Sequence, residues 1–337
     1  MRISTETLLH LAEDFTTQRT RAQRDILAVY LHGSLLADTP VIGGTADIDL
    51  FFVHIDRVEP HREIERITDD IHLDVAHDAR EVYRRTQALR MHPWMGPVIN
   101  SCKILYDPQH ILDFIQAGVR SQFDRPDNVL ARARQQAQLS RQAWLGFQRR
   151  PPAPGPQGLK DYLSAVEAAA NAVALLSGPP LTERRFLLQF AQRAQAANRP
   201  GLLAGLLGLL GGAHAASDLL RTWLPAWQAA YRAQPAEASA EMVRLHPHRF
   251  NYYSKALEVF LSAEATAQMA LWPLLLTWTD LAFASAAPDA APLLSWQEAV
   301  AQLGLAGDSL LERLAALDAY LDTVDESLDA WGEENGA

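Results

Sequence analysis

The stretch from Asp47 to Val53 opens with acids alternating with apolar residues, Asp47-Ile48-Asp49-Leu50, and runs on as Phe51-Phe52-Val53. Alternation with period two is the signature of a β-strand, in which residues i and i+2 face the same side. Asp47 and Asp49 therefore project together, while Ile48, Leu50 and Phe52 face a core. Upstream, Ile26-Leu27-Ala28-Val29-Tyr30-Leu31 reads as a buried strand ended by Gly33, and Ser34-Leu35-Leu36-Ala37 as the first turn of a short helix. Residues 38–46 read as loop, with Pro40 and the flexible pair Gly43-Gly44. Downstream, the pattern predicts a helix over Val58 to Asp69 and a third strand over Ile71 to Ala76. Asp74 lies in that strand with apolar residues at alternate positions. Thr7 to Gln18 has an amphipathic helical stripe and Arg80 to Arg90 is read as helix. Cys102 to Tyr106 is either an edge strand or a helix end, and Asp107-Pro108 opens another helix.

From about Pro126 strand signals stop, and Ala, Leu, Gln and Arg dominate. Helical patterns run over Asn128–Arg149, Lys160–Leu176, Thr182–Ala196, Ala216–Arg232, Ala236–Leu261, Thr266–Ala284 and Ser295–Leu328. Between the first two lies a Pro-rich segment, residues 150–158, read as a stiff connector. The fold class is α+β: a small mixed-sheet domain over residues 1–125, then an all-helical domain over 126–337. A chain of 337 residues, 48% hydrophobic and 21% charged, has ordinary globular composition. No apolar run is long enough to span a bilayer; Gly201 to Ser217 holds five glycines and His214 and reads as a buried helix region. The first residues lack a secretory apolar stretch, and Cys102, the single cysteine, excludes an internal disulfide. A cytoplasmic location is the expectation.

Two carboxylates on one strand face repel each other unless a cation joins them. Mg²⁺ favours a few carboxylates plus phosphate oxygens, so the Asp47–Asp49 pair suits a metal–triphosphate site. Two such ions roughly 3.5–4 Å apart can clamp the attacking and leaving oxygens of an in-line displacement. If the third strand lies beside the second, Asp74 reaches the same cluster, completes one ion's shell and helps deprotonate an acceptor hydroxyl; Asp78 is the fallback. Gly33 at a strand-to-helix turn lets backbone N–H groups approach phosphate, and the Ser34 hydroxyl can add a hydrogen bond.

Leu31-His32-Gly33-Ser34, then twelve residues, then Asp47-Ile48-Asp49-Leu50, then Leu73-Asp74-Val75 resembles the nucleotidyltransferase superfamily that includes DNA polymerase beta and kanamycin nucleotidyltransferase. The resemblance covers roughly residues 20–110. It implies Mg²⁺-dependent transfer of a nucleoside monophosphate from a nucleoside triphosphate to an acceptor, with pyrophosphate released. By that match Asp47, Asp49 and Asp74 bind metal, and Gly33 and Ser34 hold the triphosphate. All five positions carry the family's residue types.

The helical remainder resembles, more loosely, the second domains of antibiotic nucleotidyltransferases, which supply acceptor contacts. Lys160, Tyr162, Glu167 and Asn171 are polar residues on an Ala/Leu-rich helix. Glu167 is the candidate base for the acceptor's proton and Lys160 a phosphate contact; the plainer reading is four solvent-facing residues. His246-Pro247-His248 reads as a loop pair rather than a metal site. Arg249 to Lys255 mixes aromatic and basic groups and suits either base stacking or helix-start packing. Thr182-Glu183-Arg184-Arg185 reads first as a helix-capping box, and Trp223 and Trp227 as core. From Asn251 onward fourteen acids face only Lys255 and Arg313, which disfavours nucleic acid as a partner. The expectation is thus a cytoplasmic enzyme joining an NTP to a small-molecule hydroxyl, with no membrane partner and a homodimer left open. The alternative is a non-catalytic nucleotide-binding or antitoxin-like regulatory protein acting through a partner.

Overall fold

The structure is a computed structural model; it describes residues 4–37, 40–234, 242–285 and 291–337. The chain separates into two compact units, one of Met1–Arg125 with His248–Ala256, the other of Pro126–Pro247 with Leu257–Ala337.

The first unit is built on a mixed sheet whose described strands are β1 (Ile26–His32), β2 (Ala46–His54), β3 (His61–Arg66), β4 (Ile71–Ala79) and β5 (Lys103–Tyr106). Their order is β3-β4-β2-β1-β5. β2 and β4 run parallel and the other neighbours antiparallel. The expected helix over Val58–Asp69 is a correction: that segment holds β3, hairpinned onto β4. Its six residues, His61-Arg62-Glu63-Ile64-Glu65-Arg66, offer a helix no apolar stripe. As an edge strand they bond to β4 and leave charged side chains on the open edge. The hairpin turn is closed by Thr68, whose Oγ1 accepts from the N–H groups of Asp70 and Ile71.

Helix α1 (Thr5–Ala22) starts at Ser4, whose hydroxyl accepts from the Thr7 N–H. It covers one sheet face, packing Leu8 and Ala12 with Ile48, Leu50, Phe52, Leu73 and Val75. The other face is partly covered by α2 (Thr86–Met91), α3 (Met95–Ser101) and α4 (Ile111–Arg120), around Tyr30, Tyr83, Leu89, Ile99 and Leu112. The helix expected over Arg80–Arg90 is split into a 3₁₀ turn, Arg80–Tyr83, and α2. Cys102–Tyr106 resolves as the edge strand β5.

In the second unit the described regular structure is helical. α5 (Pro126–Arg149) and α6 (Pro156–Ala174) pack together, with Ser140 Oγ donating to the Ala165 carbonyl at 2.7 Å. The connector is shorter than expected. Pro156 already lies in the first turn of α6, where its missing N–H costs nothing. α7 (Phe186–Ala196), α8 (Gly201–Leu209) and α9 (Ser217–Arg232) follow, then Leu271–Ala284, Ala291–Gln302 and Gly307–Asn335. The single helix expected over Ser295–Leu328 is thus two, interrupted where Gly304 takes a left-handed φ of 67°. Of the helix expected over Ala236–Leu261, residues 236–241 lie outside the described residues. The rest is two 3₁₀ turns, Val243–Leu245 and Pro247–Arg249, before helix Phe250–Leu261, and His248–Ala256 of this stretch belongs to the first unit. Thr182 makes no capping bond; a 3₁₀ turn, Glu183–Arg185, leads into α7 instead. Trp223 and Trp227 are core residues, Trp227 Nε1 donating to Thr277 Oγ1 at 2.9 Å. Part of the acidic C-terminal charge is neutralised: Arg141 bonds Asp318, Asp322 and Asp325 of the last helix. Among the described residues no helix is long and apolar enough to cross a membrane.

Candidate functional site

The parallel register of β2 and β4 pairs Asp47 with His72 and Asp49 with Asp74. Paired residues share a face, so Asp47, Asp49 and Asp74 all stand on the face opposite α1. Asp47 and Asp74 are buried, 5% and 2% exposed, and Asp49 is partly buried.

Two guanidinium groups meet these acids. Arg62, on β3, places its Nε 2.8 Å from Asp74 Oδ1. Arg249, itself buried, bridges the other oxygens: one terminal nitrogen is 3.6 Å from Asp74 Oδ2 and the other 3.6 Å from Asp47 Oδ2. Its guanidinium also lies 5.2 and 5.6 Å from the ring centres of Tyr252 and Tyr253. Tyr252 in turn meets His72 edge to face, 5.2 Å between ring centres. The sequence singled out Arg249–Lys255 for its aromatic and basic mixture; it did not show that Arg249 faces the aspartates.

Asp49 carries the residual charge of the cluster. Burial, then the negative charges of Asp47 and Asp74, push its carboxyl well above the ordinary carboxylate range, while Arg62 and Arg249 pull it down. Three carboxylates facing two guanidiniums leave one negative charge without a cationic partner in the cluster. His32, opposite Asp49 in β1, adds no positive charge at neutral pH: burial lowers its imidazole to about 4.

Gly33 has a role of its own in this arrangement. Its backbone sits at φ 89°, ψ −157°, a region essentially reserved for glycine. A Cβ there would fall 1.9 Å from Asp49 Oδ2. The glycine makes room for the carboxylate. Ser34 begins a single 3₁₀ turn, Ser34–Leu36, rather than a longer helix. Its hydroxyl points into the cluster, 3.4 Å from Asp47 Oδ1 and 3.5 Å from the Pro40 carbonyl.

Asp47, Asp49 and Asp74 bring carboxylate oxygens, the donor type that Mg²⁺ takes, to one face of adjacent strands. The like charges of Asp47 and Asp74 that add to the shift of Asp49 are ones a cation among these oxygens would offset.

Lys160 and Glu167 lie on α6 of the second unit. Lys160 Nζ is 3.0 Å from Asp280 Oδ1 and stands over the Phe283 ring. Asp280 also bonds Arg244, which reaches Glu183 at 3.4 Å. Burial pushes the Glu167 carboxyl up to about 7, Arg244 opposes the shift, and Glu183 and Asp280 add to it. Neither residue is the solvent-facing side chain of the plainer reading. Their polar neighbours on α6 are structural: Tyr162 donates to the Leu209 carbonyl, and the Asn171 side chain bonds both backbone groups of Leu181. Asp280 went unnoticed in the sequence, although an aspartate within the apolar run Leu271–Ala284 was a signal for it. Cys102 is buried, with its thiol pushed up to about 12 by burial and Gln116 Nε2 3.2 Å from its Sγ. That environment suits an inert thiol.

Compared with known families and with curated proteins, the chain matches no family model and no curated sequence.

Proposed function

We propose that this chain is a Mg²⁺-dependent nucleotidyltransferase, moving a nucleoside monophosphate from an NTP to a hydroxyl of a small molecule and releasing pyrophosphate. The observation that carries the reading is the shared face of Asp47, Asp49 and Asp74, with Asp49 and Asp74 in register. Asp47 and Asp49 would hold the metal, and Asp74 would complete its donor set. The ions supply charge neutralisation at the triphosphate and at the phosphorus undergoing displacement. Gly33 keeps the turn backbone close beside Asp49, and the Ser34 hydroxyl is a donor for a phosphate oxygen. Arg62 and Arg249 hold the carboxylates apart without metal and are cations for the polyphosphate. Glu167, with its carboxyl near 7, has the proton affinity of a general base at neutral pH. Lys160 is the phosphate contact of this reading, its ammonium held by Asp280.

One observation favours a second reading, a nucleotide-binding or antitoxin-like regulatory protein without turnover. Arg62 and Arg249 already pair with Asp74 and Asp47, so part of the charge is satisfied without any metal. The two readings separate in a single assay. Purified protein is incubated with Mg²⁺, each α-labelled NTP and a panel of hydroxyl acceptors, and pyrophosphate and labelled product are followed. Catalysis predicts turnover that Asp49→Asn abolishes while the variant stays folded. Full activity in Asp49→Asn refutes the site, and nucleotide binding without turnover across the panel supports the regulatory reading.

A further inference from the structure

The opposite face of the same sheet edge carries a second ligand set. His61 and Glu63 on β3 and His77 on β4 offer Nε2, Oε1 and Nε2, all within 4.8 Å of one another. The Glu63 oxygen lies 3.7 Å from His77 Nε2 and 3.8 Å from His61 Nε2. His77 is 6% exposed, and its Nε2 is buried with no hydrogen-bond partner. His61 and Glu63 are partly open to solvent.

The groups behind these ligands fix where the ring protons sit. His54 Nδ1 is 2.8 Å from Asp25 Oδ2, so the proton there is donated to the carboxylate. His54 Nε2 is then the acceptor for His77 Nδ1–H, 2.9 Å away. His77 is left with an unprotonated Nε2 directed at Glu63. His61 follows the same rule: its Nδ1–H donates to the Glu59 carbonyl at 3.0 Å, leaving Nε2 as the lone pair. A ligating histidine commonly donates its other ring N–H to a carboxylate or carbonyl. Glu63 is oriented too. Arg19 takes its Oε2 at 2.9 Å, leaving Oε1 for the histidines. Arg19 also pairs with Glu65, which limits its repulsion of a cation.

We propose that His61, Glu63 and His77 bind Zn²⁺, clamping edge strand β3 to β4 with a fourth position left for water. Two imidazole nitrogens and one carboxylate oxygen are a common zinc set, and imidazole disfavours Mg²⁺ at this face. Tetrahedral zinc with bonds near 2.0–2.2 Å spaces its ligands about 3.4 Å apart. The two Glu63 distances need contract only slightly. The His61 and His77 rings lie parallel, 4.4 Å between centres, so the half-exposed His61 ring tilts to converge its lone pair on the ion.

The site is independent of the carboxylate cluster, so its test is independent as well. Chelator-treated protein without a histidine tag is titrated with ZnSO₄ by calorimetry, and metal content is measured after dialysis. One zinc per chain is expected. His61→Ala and Glu63→Gln, both at exposed side chains, should bind at least a hundredfold more weakly while keeping the wild-type circular dichroism. Asp25→Asn, which breaks the relay behind His77, should weaken binding about 10–100-fold. Asp49→Asn should bind zinc as the wild type does. Zinc binding unchanged in His61→Ala and Glu63→Gln overturns the proposal, as does zinc lost in Asp49→Asn or no zinc bound by the wild type.

Discussion

Gly33→Ala probes the arrangement at the carboxylates most directly. Two separable costs follow from the geometry. The backbone at φ 89°, ψ −157° charges a non-glycine residue about 1–3 kcal/mol. The new Cβ would also stand 1.9 Å from Asp49 Oδ2, 2.8 Å from its Cγ and 3.2 Å from its Cβ. Displacing that side chain costs a further 1–3 kcal/mol or so, as overpacking does. The single substitution should therefore destabilise β1 and β2 by about 2–6 kcal/mol. In an Asp49→Ala background the Oδ2 and Cγ contacts vanish, leaving the backbone term of about 1–3 kcal/mol and the 3.2 Å contact with the remaining Cβ. Native-state hydrogen exchange, read by mass spectrometry on peptides covering β1 and β2, reports this local stability without assuming that both units unfold together. The four proteins form a double-mutant cycle. An equal cost of Gly33→Ala in both backgrounds would show that Asp49 does not lie against the turn, and a cost below about 0.5 kcal/mol would remove the strain argument too.

Other consequences follow from the charges. Because the Asp49 carboxyl is raised in the folded chain, the native state binds a proton that the unfolded chain has released. Stability in chelator therefore falls as pH rises from the ordinary carboxylate range through the raised value. Asp49→Asn should remove up to about 1.4 kcal/mol per pH unit from that slope, measured by urea unfolding at a series of pH values; an unchanged slope refutes it. Arg249→Ala leaves Asp47 and Asp74 buried without their shared guanidinium and should cost about 3–5 kcal/mol. Mg²⁺ should raise the Tm of that variant more than that of the wild type. With Glu167 as base, kcat should rise through a pH of about 7. Glu167→Gln should flatten that limb and lower the rate about 10²–10⁴-fold, and a limb that persists in the variant assigns it elsewhere.

What the sequence disclosed is what local period encodes. β1 is a continuous apolar run, whereas β2 around its aspartates and β4 are apolar at alternate positions, and that period sent the aspartates to one face. β3 was misread because its apolar content is one isoleucine among charges. An edge strand needs bonding to its neighbour rather than burial, and that demand leaves little trace in composition. The Pro-rich connector ended early because proline is as well suited to the first turn of α6 as to a linker. Arg249 was invisible as a partner of Asp47 and Asp74 because it comes from a segment beyond most of the helical part of the chain. Glu167 was legible as a polar residue on an apolar helix, but its raised carboxyl comes from burial, with Glu183 and Asp280 adding to the shift and Arg244 opposing it, and only folding creates that setting.

The carboxylates do not hold themselves together. Two unit charges roughly 4 Å apart near a protein surface repel by about 4 kcal/mol. What fixes Asp49 opposite Asp74 is the other face of the same strands. Ile48, Leu50, Phe52, Leu73 and Val75 are all buried against α1. Each such side chain contributes about 1.5–3 kcal/mol, so five supply roughly 8–15 kcal/mol. A slip of β4 by one residue would turn Leu73 and Val75 outward and drive Asp74 into the α1 core. The apolar register outweighs the repulsion it enforces. The same alternation separates the two proposed sites on β4: Asp74 and His77 are three residues apart, an odd spacing, and so emerge on opposite faces. The acids are held on one face by packing on the other. Trimming that packing, as with Leu50→Ala, should lower stability and leave the order of metal preferences unchanged.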